Sequence, residues 1–224
     1  MLIEADAILF DNDGVLVDSR REVERAWTQL ANEFGLDAER LLIELIGRRS
    51  ADTLGDYLPP ERCRQAVDRL EDLEVEMASE TRPLAGALEL LEQLGEHRWT
   101  IATSAARRLA NARWTGAGIA IPSQSITAED VSNGKPDPEP FLAGARLLGV
   151  DPARCIVFED SPSGGAAALA AGATAVAVGH IPWAFEPAAR VADLRSVRVI
   201  ASGGEPPQGN GSPHQTLTIE LDGI

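Results

Sequence analysis

Lysine is almost absent from this sequence. Of its 20 basic residues, 19 are arginine and one, Lys135, is lysine. With 35 acidic residues the formal net charge is −15, so the chain lacks the basic surface that nucleic acid requires, and we expect no nucleic-acid partner. An acidic enzyme can still bind an anionic substrate where a basic side chain or a bound cation concentrates positive charge. The position of the single lysine therefore becomes informative.

Long hydrophobic runs and closely spaced cysteines are missing as well. No apolar run approaches the roughly 20 residues that span a bilayer, and no basic segment precedes the first apolar stretch as in a secretory leader. Cys63 and Cys155 are far apart, without metal-ligand or redox spacing. We therefore expect reduced packing cysteines in a cytoplasmic protein with no membrane partner, working as a monomer or small homo-oligomer.

Short apolar strands alternate with helices in much of the chain. Its 224 residues, 44% hydrophobic and 25% charged, are enough for one folded domain or one domain with a small insert. The alternation predicts an α/β fold, a doubly wound parallel sheet with helices on both faces. The predicted strands cover residues 7–10, 99–103, 155–158 and 173–178.

Two regions depart from that alternation. Residues 20–79 have a helical pattern broken at glycines and prolines, which predicts an inserted α-helical cap at 19–82 within a core of 1–18 and 83–224. Near the C-terminus, β-type runs at 197–201 and 216–221 flank a loop rich in glycine and proline at 203–213. They predict an antiparallel strand pair at the edge of the sheet.

Two carboxylates follow the first strand. Asp11 and Asp13 stand two residues apart, a spacing that points both side chains the same way. A carboxylate can attack phosphorus if a metal ion removes the repulsion between two anions, and a neighbouring acid can move the protons. Gly14 permits a tight turn. Taken alone, the short D-x-D-G pattern also fits a solvated acidic turn.

A hydroxyl group and the single lysine come next. Ser104, followed by the backbone amide of Ala105, can hold a phosphoryl oxygen or simply cap the next helix. Lys135 lies between a glycine and prolines that stiffen its loop. A lysine held in this way can neutralise charge on phosphoryl oxygens and on a nucleophile, although a surface lysine in a turn is the alternative.

A second acidic pair, Glu159 and Asp160, follows the strand at 155–158. Magnesium prefers a few hard oxygen ligands, so Asp160 with Asp11 and a backbone carbonyl would suffice to hold it. Capping of the following helix is the alternative. Because ligands of open parallel sheets bind at the carboxyl ends of the strands, these strand ends together predict one composite site.

The chain resembles the haloacid dehalogenase superfamily over nearly its whole length. The resemblance rests on the segments FDNDGVLVDS, ATSA, GKPDPEPF and FEDSPSG, with PLAGALELLEQL leading into the second. The helical insert is similar to that superfamily's first type of α-helical cap. From residue 126 onward the chain is similar to sugar-phosphate, glycerol-phosphate and 2-deoxyglucose-6-phosphate phosphatases. The resemblance implies a Mg²⁺-dependent phosphatase acting on a small phosphomonoester through an aspartyl-phosphate.

The same resemblance implies a role for each matching residue. In the reaction these are the nucleophile Asp11, the general acid and base Asp13, the phosphate-binding hydroxyl of Ser104 and the charge-neutralising Lys135. The metal would be held by the Asp11 carboxylate, the Asp13 carbonyl and Asp160, with Glu159 near it.

Further positions are implied to contact the substrate. Arg48 and Arg49 fall where relatives contact its distal part, although a solvated charged loop is the alternative. Asn12 occupies the spacer of D-x-D, where relatives usually carry an apolar residue. Its backbone amide, like that of Ala105, would still face the phosphate.

Single residues distinguish the phosphatase from other activities. Phosphonatases need a cap lysine, which is missing here, and dehalogenases need neither the second aspartate nor a metal. A β-phosphoglucomutase resembles the chain throughout but carries a histidine where Glu22-Val23-Glu24 stands. A phospho-acceptor signalling module lacks a cap, and a non-catalytic binding module would not need every functional group. We therefore favour the phosphatase over the mutase and over these modules.

Overall fold

A five-stranded parallel sheet forms the centre of the molecule. The computed structural model describes residues 1–95, 97–120, 122, 124–203 and 216–223. Neighbouring strands pair in parallel throughout this sheet, so the predicted α/β fold class is confirmed. In spatial order the strands are β5 (Trp99–Ile101), β2 (Ala7–Phe10), β6 (Cys155–Glu159), β7 (Thr174–Val178) and β8 (Ala189–Val191).

Helices cover both faces of this sheet, which explains why its inner strands are continuous apolar runs. Every residue of β2 and β6 is buried. The rings of Phe10 and Phe158, paired across these strands, stack 5.4 Å apart. One face packs against α5 (Ala87–Leu94) and α6 (Arg107–Ala117), and the other against α7 (Glu139–Leu148) and α8 (Pro162–Ala170).

The insert between β2 and α5 is helical and has its own hydrophobic cluster, to which Trp27, Leu54 and Leu70 belong. The helical pattern of the insert is interrupted where glycine and proline predict a break. Gly35, for example, ends the first helix with φ +71°. Two short antiparallel strands, β3 (Val17–Asp18) and β4 (Arg82–Pro83), pair at the junction with the core. The helices are α1 (Arg20–Phe34), α2 (Ala38–Glu44), α3 (Ser50–Gly55) and α4 (Pro60–Met77).

The C-terminal strands form an antiparallel pair, but not at the edge of the parallel sheet, so that part of the prediction is wrong. A separate sheet has the order β1 (Leu2–Ala5), β10 (Thr216–Leu221), β9 (Val197–Gly203). Alternate residues of β10, namely Leu217, Ile219 and Leu221, join the cluster on the α5 side and seat the strand there. The loop predicted at 203–213 lies, beyond Gly203, outside the described residues.

The apolar helices and the two cysteines can be described directly. Within the described part of the chain, no helix is both long and apolar enough to cross a bilayer. Cys155 is buried in β6, where burial raises the pKa of its thiol to about 11. Cys63 is half-buried in α4, and neither cysteine forms a disulfide.

Candidate active site

Three carboxylates meet at the carboxyl ends of β2 and β6. The amide of Asp11 donates to the carbonyl of Phe158 at 2.9 Å, which fixes Asp11 beside the end of β6. Oxygen atoms of Asp11, Glu159 and Asp160 lie within 4.8 Å of one another. Three acids so close together form a cluster that can hold a divalent metal ion.

Lys135 lies inside this cluster. Its Nζ atom is 2.6 Å from Asp11 Oδ1 and 2.6 Å from Glu159 Oε1, and the residue is 2% exposed. Burial alone would lower the pKa of Lys135, but the charges of Asp11 and Glu159 outweigh it and hold the pKa above its ordinary value. The lysine is therefore a buried cation beside Asp11 and not a surface residue.

Glu159 has both of its oxygens engaged by protein groups. Oε1 accepts from Lys135, and Oε2 accepts from the backbone amide and the hydroxyl of Ser161, each at 2.9 Å. These bonds orient Glu159 toward the lysine. Glu159 thus anchors Lys135, and it also belongs to the acidic cluster that can hold a metal ion.

The remaining two carboxylates, Asp11 and Asp160, carry strongly shifted pKa values. Burial raises the pKa of Asp11 to about 7, with Lys135 opposing the rise. Burial, followed by the charges of Glu159 and Asp11, raises the pKa of Asp160 to about 9. A divalent cation would offset this crowding of negative charge. The carboxylate oxygens of Asp11 and Asp160 are hard ligands of the type that Mg²⁺ prefers, so these residues fit such an ion.

Gly14 allows Asp160 to approach the D-x-D-G turn. Its φ is +85°, and a Cβ built there would lie 2.0 Å from Asp160 Oδ2. A side chain at position 14 would therefore be strained by the backbone and would also displace Asp160. Glycine is therefore required at position 14 both by the turn and by the close contact with Asp160.

Asp13 is held by donors to both of its oxygens. Ser19 Oγ donates to Oδ1 at 2.5 Å, and Arg113 Nη1 lies 2.9 Å from the same oxygen. Asn12 Nδ2 donates to Oδ2 at 3.1 Å. The buried Asn12 in turn accepts from the indole of Trp114 at 2.8 Å, so the unusual spacer residue has a structural partner on each side.

Arg113 and Glu74 are site residues that the sequence analysis missed. Arg113 Nη2 donates to Glu74 Oε1 of the helical insert at 2.9 Å, and both residues are buried. In the sequence, Arg113 could have been noticed as a charged residue on an otherwise apolar face of α6. The other buried residues of this helix recur every three or four positions, which is the spacing of one helical face. Those residues are Leu109, Ala110, Trp114 and Ala117.

The loop between α2 and α3 lies against the core at this site. Ser104 Oγ donates to the carbonyl of Gly47 at 3.4 Å, and Ser163 Oγ donates to that of Ile46 at 3.3 Å. The backbone amide of Ala105, predicted to contact substrate, donates to Thr103 Oγ1 at 3.1 Å. The insert is therefore docked over the strand ends.

A cavity of about 460 Å³ lies between the insert and the strand ends. Its core side includes Asp11, Asp13, Ser104 and Asp160, so the structure brings these predicted residues to one space. On the insert side the wall combines polar and charged residues with the apolar side chains of Val23, Trp27, Leu42, Leu45 and Val67. The cavity therefore has a polar end at the strand ends and an end of mixed polar and apolar character under the insert.

Arg48 and Arg49, predicted together as substrate-binding residues, have different positions. Arg48 lines the cavity and pairs with Asp56 at 2.9 Å. Arg49 is not among the described residues of the cavity wall, and its contact with substrate stays a prediction. Its guanidinium pairs with Asp52 and donates to the carbonyl of Ser132 at 3.1 Å, so it joins the insert to the loop that precedes Lys135.

Known proteins resemble this chain in sequence and in structure. Residues 5–172 match the haloacid dehalogenase-like hydrolase family. Hexitol phosphatase A of Escherichia coli is 39% identical over 76% of this chain and 81% of its own length. Glycerol-1-phosphate phosphohydrolase 2 of Saccharomyces cerevisiae is 32% identical over 79% and 75%, respectively. Among solved structures, β-phosphoglucomutase of Clostridium difficile has a TM-score of 0.69, with 27% identity over 79% of this chain and 85% of that one.

These comparisons confirm the predicted family and the predicted enzyme class, a phosphoric monoester hydrolase. The match spans both the strand ends and the helical insert, since it begins before β2 and ends after α8. This chain belongs to the haloacid dehalogenase-like hydrolase family.

Proposed function

We propose that this protein is a Mg²⁺-dependent phosphatase that hydrolyses a small sugar or polyol phosphate through a phosphoryl group carried on Asp11. The observation that carries the proposal is the buried ion pair of Lys135 with Asp11, whose carboxylate lies next to Asp160 and lines a capped cavity. A carboxylate beside a fixed cation can receive an anionic phosphoryl group, because the cation reduces the repulsion between them.

The first half of the reaction transfers the phosphoryl group. An oxygen of Asp11 attacks phosphorus, and the bond from phosphorus to the ester oxygen breaks. Asp13 donates a proton to that oxygen, so the sugar or polyol leaves as a neutral alcohol. Lys135 and the hydroxyl of Ser104 stabilise the charge on the remaining phosphoryl oxygens.

The second half releases phosphate. Asp13, now ionised, accepts a proton from water as the water oxygen attacks the phosphorus on Asp11. The bond from phosphorus to Asp11 breaks, and the free carboxylate is restored. Each proton that Asp13 donates in the first half is thus recovered in the second.

A Mg²⁺ ion would be held by Asp11, Asp160 and the main-chain carbonyl of Asp13. When bound, it neutralises and orients the phosphoryl oxygens. The residues suit it because Asp11 and Asp160 are crowded acids whose pKa values burial has raised. Glu159 then serves to anchor Lys135, with its oxygens directed to Lys135 and Ser161.

The cavity and the relatives both point to a sugar or polyol phosphate as the substrate. A space of about 460 Å³ suits a ligand the size of a sugar phosphate. Its wall combines the apolar surface of Trp27 and Leu45, suited to the C–H face of a carbon chain, with Arg48 and Glu71, suited to hydroxyl groups. Two of the relatives are named for polyol phosphates, a hexitol phosphatase and a glycerol-1-phosphate phosphohydrolase.

A mutase is the second candidate, favoured by the structural likeness to β-phosphoglucomutase. Against it stands the segment Glu22-Val23-Glu24, which has no histidine between core and cap. Of the remaining expectations, we propose a small-molecule substrate as the sole reaction partner, a cytoplasmic location and a monomer or small homo-oligomer.

The testing experiment measures phosphate release from a panel of hexitol, glycerol, hexose and deoxyhexose phosphates, each with Mg²⁺ and with chelator. We expect Mg²⁺-dependent release from a narrow set of esters. Asp11→Asn should abolish release, whereas Asp68→Asn, the same change on an exposed acid of α4, should not alter it.

Two results would replace the proposal. Isomerisation of glucose 1-phosphate without net phosphate release would establish the mutase. Absence of reaction with every ester would favour a signalling or binding module.

A further inference from the structure

Arg113 is a buried arginine to which the proposed reaction assigns no step. It is 4% exposed, and its Nη1 atom is 2.9 Å from Oδ1 of Asp13. Through Nη2 it donates to Glu74 Oε1 at 2.9 Å. Because a guanidinium has a rigid planar fork and does not lose its proton, it fixes both carboxylates relative to α6.

The next residue on α6 reaches the other oxygen of Asp13 through an intermediary. Trp114 Nε1 donates to Asn12 Oδ1, and Asn12 Nδ2 donates to Asp13 Oδ2. Consecutive residues of one helix therefore restrain Oδ1 directly and Oδ2 indirectly. Such a two-sided arrangement restricts the rotation of the Asp13 carboxylate in the wall of the cavity.

We propose that Arg113 is a positioning residue for Asp13 and that Glu74 anchors Arg113 from the helical insert. The inference rests on the proposed function, in which Asp13 moves protons in both half-reactions. General acid–base catalysis contributes about 10²–10⁴-fold to a rate, and it requires the proton donor to lie within hydrogen-bond reach of the reacting oxygen. Loss of the restraint should therefore slow both proton transfers while leaving the attack of Asp11 intact.

A substrate with a good leaving group separates these effects. The nitrophenolate of p-nitrophenyl phosphate leaves without a proton, so phosphorylation of Asp11 does not need Asp13 with this ester. Water attack on the phosphoryl group still needs it. A variant with a misplaced Asp13 should give a normal first burst of nitrophenol, followed by slow steady turnover.

Arg113→Lys is the test variant, because lysine keeps the charge but reaches one carboxylate at a time. Arg69→Lys is the matched control. Arg69 also holds a carboxylate on another helix with two nitrogens, through an ion pair with Glu33 at 2.9 Å, and neither residue is among the described residues lining the cavity. We expect Arg113→Lys to retain the burst and to lose about tenfold or more in steady turnover, with Arg69→Lys like the parent protein.

A double-mutant cycle distinguishes positioning from general structural damage. If Arg113 acts through Asp13, Arg113→Lys should cost nothing further in steady turnover when Asp13→Asn is already present. Equal losses in both backgrounds would overturn the inference. Full turnover in Arg113→Lys, or joint loss of burst and turnover in a variant of normal thermal stability, would overturn it too.

Different results would exclude the proposed function and the role of Arg113. If the parent protein releases no phosphate with Mg²⁺, the proposed function fails and the inference falls with it. If the parent protein is active and Arg113→Lys matches it, the inference alone fails. Should Arg113→Lys not fold, Glu74→Gln removes the charge of the anchor at constant volume. A retained burst with slower turnover in that variant supports the inference, and unchanged turnover overturns it.

Discussion

Lys135 and Asp11, 124 positions apart in the chain, form a buried ion pair with 2.6 Å between Nζ and Oδ1. The same ammonium lies 4.8 Å from the centre of the Phe141 ring, so the loop that carries it is fixed on α7. The pair places a cation beside the carboxylate to which an anionic group would be transferred. It therefore serves the stability of the site as well as its chemistry.

Removal of the lysine charge should destabilise the protein and abolish turnover. Lys135→Met leaves Asp11 and Glu159 buried without their common partner. We expect the free energy of unfolding at pH 8 to fall by about 3–5 kcal/mol, as is typical when one member of a buried ion pair is removed. The loss should shrink toward pH 5, because burial raises the pKa of Asp11 to about 7 and this acid can then take up a proton. Urea denaturation at both pH values measures this, and an unchanged free energy of unfolding at pH 8 would contradict the account.

Stability and metal binding should both change with pH. Without metal, the pKa of Asp11 rises from 3.8 to about 7 and that of Asp160 to about 9. Between 3.8 and those values the folded protein binds more protons than the unfolded chain. The stabilising contribution of these two acids is therefore complete below 3.8 and is lost as the pH rises through 7 and 9. Because a divalent cation needs the deprotonated forms, Mg²⁺ should raise Tm more at pH 8 than at pH 5.5.

Thermal denaturation with Mg²⁺ and with chelator tests that expectation. Asp160→Asn should remove most of the Mg²⁺-induced rise in Tm, and Asp68→Asn should leave it intact. A rise of equal size at both pH values, or a larger one at pH 5.5, is the result that the account does not allow.

A second glycine distinguishes the effect of the close contact between Gly14 and Asp160 from the effect of backbone strain. Gly14 and Gly172 have similar φ values, +85° and +81°, but a Cβ at Gly172 would meet nothing within 4 Å. Gly172→Ala should therefore cost about 1 kcal/mol in stability and no activity. Gly14→Ala, which drives a methyl group into Asp160, should in addition weaken Mg²⁺ binding and lower turnover about tenfold or more. Equal activity in the two variants would show that the contact with Asp160 does not matter.

The neighbouring arginines of the insert should have different kinetic effects. Arg48→Ala should raise KM several-fold for a sugar phosphate and change little for p-nitrophenyl phosphate, because Arg48 lines the distal cavity. Arg49→Ala should lower kcat/KM for both esters alike, because Arg49 joins the insert to the loop before Lys135. Arg40→Ala, which breaks an exposed pair with Glu44, is the control. Identical profiles for Arg48→Ala and Arg49→Ala would refute the assignment.

The strand ends were predictable because topology alone brings them together. In a parallel sheet every strand that ends in a polar residue presents it at the same edge, whatever the details of packing. Asp11 and Asp160 follow buried apolar strands, and that pattern is visible in the sequence. Lys135 was found by its rarity, and the structure shows it buried between acids.

The supporting contacts were not predictable, since they depend on how the insert docks. Arg113 and Glu74 are 39 residues apart, on helices of the core and of the insert, and helical periodicity indicates burial but not a partner. Asn12 and Trp114 meet across 102 residues. Arg48 and Arg49 are adjacent in sequence, yet one faces the cavity and the other the core loop, a distinction that composition does not carry.

The most direct test of the account is to trap the phosphoryl group on Asp11. Asp13→Asn, which should slow water attack, is mixed with ³²P-labelled p-nitrophenyl phosphate and Mg²⁺, quenched in acid and digested for peptide mapping. We expect about one phosphoryl group per chain, labile to hydroxylamine, on the peptide that contains Asp11, and none when Asp11→Asn is added. If the parent protein releases phosphate while this variant carries no label, or carries it on another residue, the covalent route through Asp11 is contradicted.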